Sequence, residues 1–201
     1  GRSLTLEQKF LMTVFFGYLY QMDQVIDDQL APLETRYEVL FRSLEAIGKC
    51  CDDEIYAVIQ QKIHVLCERL PSDHSLRAFI QDHSFDERLL VADMKMVQQI
   101  IRGFNLSDPD EKEKCNYFLV SFIEMLVAGL RQLCDSDKAC FGPSFYLHAY
   151  GLADSGVEPM IRLLLLFNGV SVADLELPEV KRLIALSVQN MRGFNDHAFV
   201  L

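Results

Sequence analysis

The chain has 201 residues, half of them hydrophobic and 24% charged, which supports one folded domain and excludes a disordered chain. Its net charge of -10 argues against a surface built to grip nucleic acid or an anionic membrane.

Thr5 and Gln8 form a capping-box pattern that opens a long first helix running towards residue 30, where Pro32 stops it. A second helix is expected over 33–47, with Leu33, Tyr37, Leu40, Phe41 and Leu44 on one face and Gly48 as its terminator. Asp52, Asp53 and Glu54 begin a third, whose stripe is Ile55, Val58, Ile59, Ile63 and Leu66, with Pro71 beyond its end. Ser84 and Glu87 read as another capping box, opening a helix that reaches about Gly103. Ser107, Asp108 and Pro109 start the longest helix, with Phe118, Phe122, Met125, Leu126 and Leu130 on its apolar face. The loop CDSDKACFGP follows, then short helical stretches near 144–152 and 155–169, and a final helix from Pro178.

With no alternating strand-like segment and no internal repeat, the expected fold is all-α. It is a single helical bundle of around eight helices spanning 1–201, read as incomplete at both ends. The six cysteines form no C-x-x-C pair and have no partnered histidines, so they read as reduced thiols in a cytosolic protein. His74 and His83 fall near loop or helix-start positions, where exposure is expected. No transmembrane segment is expected, since the run IRLLLLF at 161–167 is far too short to span a bilayer.

One stretch asks for a chemical explanation. In FFGYLYQMDQVIDDQLAP, residues 15–32, Asp23 and Asp27 lie one helical turn apart and share a face, with Asp28 at its edge. Tyr20 and Phe16 extend that face towards the N-terminus. Like charges at this spacing oppose the helix by roughly 0.2–0.5 kcal/mol, and acids near a C-terminal end also oppose its dipole. Two readings stand level on the residues alone. One is a solvated helix end. The other is a Mg²⁺ site in which carboxylates, water and diphosphate oxygens complete an octahedron, while the aromatic wall faces a positive carbon.

The sequence D-Q-V-I-D-D after an aromatic helix resembles the aspartate-rich motif of class I terpene synthases, with Asp23 at its first aspartate and Asp27 at its distal acid. The C-terminal sixty residues resemble the same family in order and spacing. Tyr146 and Leu147 come first, then the Ser155-Gly156-Val157 helix break, then Leu177 and Pro178 opening a last helix. Asn195 and Asp196 match the first two positions of N-D-x-x-S-x-x-x-E.

The resemblance implies a bundle whose two motifs face each other across an apolar cavity. Several Mg²⁺ ions there ionise a prenyl diphosphate, farnesyl diphosphate by default, and the product is a cyclised terpene. On that reading Asp23 and Asp27 are catalytic and Asp23, Asp27, Asp28 and Asn195 hold metal. Phe16, Tyr20 and Gly156 contact substrate; Gly156 is equally readable as a plain turn residue. A homodimer is compatible with this reading.

The match departs from the family at Phe199, where the second motif has serine, and at His148 to Gly151, where a diphosphate-sensing arginine is expected. An insertion between residues 48 and 115 is also implied. Two alternatives therefore accompany it: a squalene or phytoene synthase-like prenyltransferase, and a catalytically degenerate helical binding domain.

Overall fold

The computed structural model of the chain describes residues 4–28, 30–136 and 157–198. Among these the fold is all-α, in nine helices: α1 Leu6–Asp27, α2 Leu33–Cys50, α3 Asp53–Glu68, α4 Ser75–Asp82, α5 Glu87–Arg102, α6 Pro109–Ser136, α7 Val157–Phe167, α8 Val172–Leu175 and α9 Pro178–Ala198. The expected stretch at 144–152 lies outside the described residues.

Both halves of the Thr5–Gln8 capping box form, the Gln8 amide donating to Thr5 Oγ1 at 3.1 Å and the Thr5 amide to Gln8 Oε1 at 3.0 Å. Leu11, Phe15, Leu19 and Met22 give α1 its buried face. Phe15 meets Phe118 and Phe122 of α6 edge-on, with ring centroids 5.4 and 5.2 Å away. Helix α2 packs against α1, α3, α4, α5 and α6 and buries Tyr37, Leu40, Leu44 and Ile47.

α6 is the one helix among the described residues long and apolar enough to cross a membrane, but 56% of that window is buried in the fold. Its apolar side chains are the core of the bundle: Phe118, Phe122, Leu126 and Leu130 have no exposed surface.

Several boundaries differ from expectation, each for a packing reason. Helix α2 does not stop at Gly48 but continues to Cys50. The glycine makes room instead: a Cβ there would stand 2.9 Å from Cδ2 of the Tyr56 ring on α3. Helix α5 is capped by Asp86, whose Oδ1 accepts from the Arg88 and Leu89 amides, and not by Ser84.

Helix α4 was not expected at all; it puts His74 at a helix start as expected, but both histidines are half-buried where exposure was expected. His74 is its N-cap, Nδ1 accepting from the Leu76 amide at 3.2 Å. His83 is half-buried, stacked on Phe79 at 4.8 Å and edge-on to Phe85 at 4.5 Å. Its Nδ1 donates to the Phe79 carbonyl at 2.8 Å.

A buried polar network crosses the α1–α2–α5 junction. Arg42 Nε donates to Asp93 Oδ2 at 2.8 Å, and both side chains are almost enclosed. Ser43 gives its one hydroxyl proton to the Val39 carbonyl at 2.8 Å, so the Tyr18 phenol is the donor in its bond to Ser43 Oγ. Burial, and then the nearby Asp93 carboxylate, push the phenol upward and keep it protonated for that role.

Helix α7 ends in a Schellman motif: the Val170 amide donates to the Leu165 carbonyl and the Gly169 amide to the Leu166 carbonyl, with Gly169 at φ 86°. Gly169→Ala is therefore expected to lower stability by about 1–2 kcal/mol in urea titrations, although nothing crowds the added methyl group. An unchanged midpoint would mean that the turn relaxes to another conformation.

Candidate functional site

The last two turns of α1 carry the expected acidic face. Because the helix is continuous through Asp27, Asp23 and Asp27 are held one turn apart on it. Asp23 is exposed, while the side chain of Asp27 lies outside the described residues. Above them Phe16 and Tyr20 are each 57% exposed, whereas their neighbours Phe15 and Leu19 are buried. One helix thus spends one apolar face on the core and leaves three aromatic side chains in the open, Phe10, Phe16 and Tyr20, the last two directly above the acids.

Asp28 is no longer helical. It is the C-cap, at φ -70° and ψ 94°, and its Oδ1 accepts from the Leu30 amide at 2.9 Å. That bond closes a tight turn into α2, so one oxygen of this carboxylate has a structural task.

Sequence reasoning missed Arg36. From the first turns of α2 its Nε donates to the Ile26 carbonyl at 2.6 Å. Lys9 is the preceding basic residue in the chain, so the last turn of α1 carries no basic residue of its own. Nothing local to Arg36 marks it, because the contact is between two helices.

Of the second motif, Asn195 and Asp196 lie within α9, and their side chains are outside the described residues, as are Phe199 and Gly156. The missing-arginine region, 148–151, is outside them too. Helix α7 packs against both α1 and α9 and so connects the elements that bear the two motifs.

Among the described residues no group of three or more histidine, cysteine, aspartate or glutamate side chains could hold a metal ion. What is available on α1 is a pair of hard oxygen donors at i, i+4, which suits an ion that takes one or two carboxylates and completes its shell with water and phosphate oxygens.

A concavity between α6 and the start of α7 is lined by Ser121, Glu124, Met125, Ala128, Glu158 and Pro159. Its acids are engaged in ion pairs, Glu124 with Lys62 at 2.7 Å and Glu158 with Arg162. Arg162 also donates to the Tyr117 hydroxyl, which itself donates to Glu176 at 2.8 Å. This cluster ties α6, α7 and the turn after α8 together.

Burial above all pushes Cys51 and Cys115 up to about 12, so neither is a thiolate at neutral pH.

Comparison with known proteins finds no family model, no curated protein and no solved structure that matches this chain.

Proposed function

We propose that the chain is a terpene synthase-like lyase of the cytoplasm, catalysing Mg²⁺-dependent ionisation and cyclisation of a prenyl diphosphate with release of diphosphate. The observation that carries the reading is the exposed Phe16–Tyr20–Asp23 face of α1, continued by Asp27. Phe16 and Tyr20, exposed one turn apart beside the acids, make an apolar patch of the kind that a ligand or a covering surface can take.

In this reading Asp23 and Asp27 would hold Mg²⁺, with Asn195 contributing from α9, and an ion held there would neutralise charge on the departing diphosphate. Phe16 and Tyr20 then present their ring faces to the hydrocarbon, where a π surface stabilises positive charge and excludes water.

Mg²⁺ and inorganic pyrophosphate together are expected to raise the melting temperature well beyond either alone. A ligand at about 100 times its Kd adds roughly 2.7 kcal/mol, a shift of about 5–10 °C for a chain of this size. Absence of synergy with both Mg²⁺ and Mn²⁺ would return Asp23 and Asp27 to a solvated helix end.

The activity itself is tested by incubating the full-length protein with geranyl, farnesyl and geranylgeranyl diphosphates and analysing hexane extracts by gas chromatography. Cyclic hydrocarbons or alcohols support the lyase, and a head-to-head product supports the squalene synthase-like alternative. No product from a protein that binds Mg²⁺-pyrophosphate supports the degenerate binding domain.

A further inference from the structure

The end of α1 is an unfavourable place for its charges. The carbonyls of a helix's last turn have no partners within the helix, and they carry its partial negative charge. Here that turn also holds Asp27, with Asp23 one turn earlier, Asp28 just beyond and no basic residue of its own. The Ile26 carbonyl would normally accept from the amide four residues on, at Leu30. That amide is instead given to Asp28 Oδ1, so the carbonyl does without its usual i+4 donor.

Arg36 fills the vacancy from α2, with Nε 2.6 Å from the oxygen. The carbonyl belongs to the peptide unit that joins Ile26 to Asp27, so the guanidinium rests against the backbone of Asp27 itself. Ile26 is also only about 60° round the helix from Asp23.

We propose that Arg36 is a positioning residue for the acidic pair: a cross-helix cap that holds the last turn of α1 wound, and Asp23 and Asp27 in register, before any metal arrives. The inference rests on the functional reading above for its consequence, but not for its geometry. A carboxylate pair on a frayed helix end would have to be ordered by the ion, at the expense of affinity. A pair already wound by Arg36 is pre-organised. The cap is also charged, so it offsets the repulsion that would otherwise unwind that turn.

A second cap of the same kind provides the control. Arg77 of α4 donates from Nη2 to the Cys67 and Leu70 carbonyls at the end of α3, far from the acidic pair in sequence.

The test uses Arg36→Met, Arg36→Lys and Arg77→Met in the full chain, with two readouts. The first is amide hydrogen exchange in the absence of ligand. Arg36→Met is expected to speed exchange at residues 24–28 by about tenfold relative to the rest of α1, while Arg77→Met leaves that turn unchanged. The second is the apparent Kd for pyrophosphate at fixed Mg²⁺. It should rise about tenfold in Arg36→Met, equivalent to about 1.4 kcal/mol, recover in part in Arg36→Lys, and stay at the parent value in Arg77→Met.

Unchanged exchange at residues 24–28 in Arg36→Met overturns the proposal. So does a parent-like Kd in that variant when the parent binds. Equal weakening by Arg77→Met would reduce Arg36 to general stability and overturn it as well. If the parent binds no pyrophosphate but Arg36→Met frays the turn, the positioning role is upheld and the metal reading fails.

Discussion

Arg42→Met is expected to remove about 3–5 kcal/mol of stability at neutral pH, a large share of the roughly 5–15 kcal/mol that holds a domain of this kind. Arg42 and Asp93 are 12% and 8% exposed, and Asp93 has no other cation among its described partners. Burial pushes the Asp93 carboxyl above the ordinary carboxylate range, and the Arg42 hydrogen bond and charge pull it only part of the way back. Without Arg42 the burial effect acts alone.

The sign of the pH dependence follows. A carboxyl whose folded pKa is raised favours folding most below its unfolded pKa, near 3.9, and that contribution is lost as pH rises through the folded value. Arg42→Met raises the folded value further, so its deficit relative to the parent is full at pH 8 and shrinks towards pH 5. Urea unfolding of both proteins at the two pH values reads this directly. A deficit independent of pH would assign the loss to packing of the arginine stem. The double variant Arg42→Met/Asp93→Leu should recover most of the loss, since a buried pair replaced by apolar groups is often neutral or better.

The same junction shows what the sequence could and could not disclose. Periodicity found α1, α2, α3, α6 and α9 because each carries a long apolar stripe, and the caps at Thr5 and Asp52 formed as local chemistry requires. It missed α4 because eight residues with Leu76, Phe79 and Ile80 give too short a period, and a histidine is an uncommon cap.

It also misjudged Gly48, where a rule about helix ends yielded to the Tyr56 ring packed against the helix. Arg36, Arg42 and Asp93 were invisible for one reason: the contact that matters to each reaches another helix, although Arg42 also pairs with Glu38 on its own. The candidate site was legible in the same uneven way. The i, i+4 aspartates follow from spacing alone, and the exposure of Phe16 and Tyr20 agrees with their shared face. That Asp28 leaves the helix to cap a turn depends on how α1 joins α2, and spacing carries no record of it.

These distinctions make the acidic residues unequal in a measurable way. Asp23→Asn and Asp27→Asn are each expected to abolish Mg²⁺-dependent pyrophosphate binding, because an amide keeps one oxygen but loses the charge that holds a hard cation. Folding should be unharmed or improved by about 0.2–0.5 kcal/mol, since each change removes like-charge repulsion at the negative end of the dipole. Asn195→Ala should weaken binding without abolishing it, because it removes one neutral ligand.

Asp28→Asn should be mild, for its side-chain oxygen can still accept from the Leu30 amide. Asp28→Ala loses that bond and should cost about 0.5–1.5 kcal/mol of stability instead. Calorimetric titration and thermal melts of the five variants separate the alternatives. Parent-like binding by Asp23→Asn, Asp27→Asn and Asn195→Ala would remove the metal site. Unfolding of Asp23→Asn or Asp27→Asn would make those carboxylates structural partners. Only if both variants stay folded and lose the ligand does the chain bear its clustered charge for the sake of a cation.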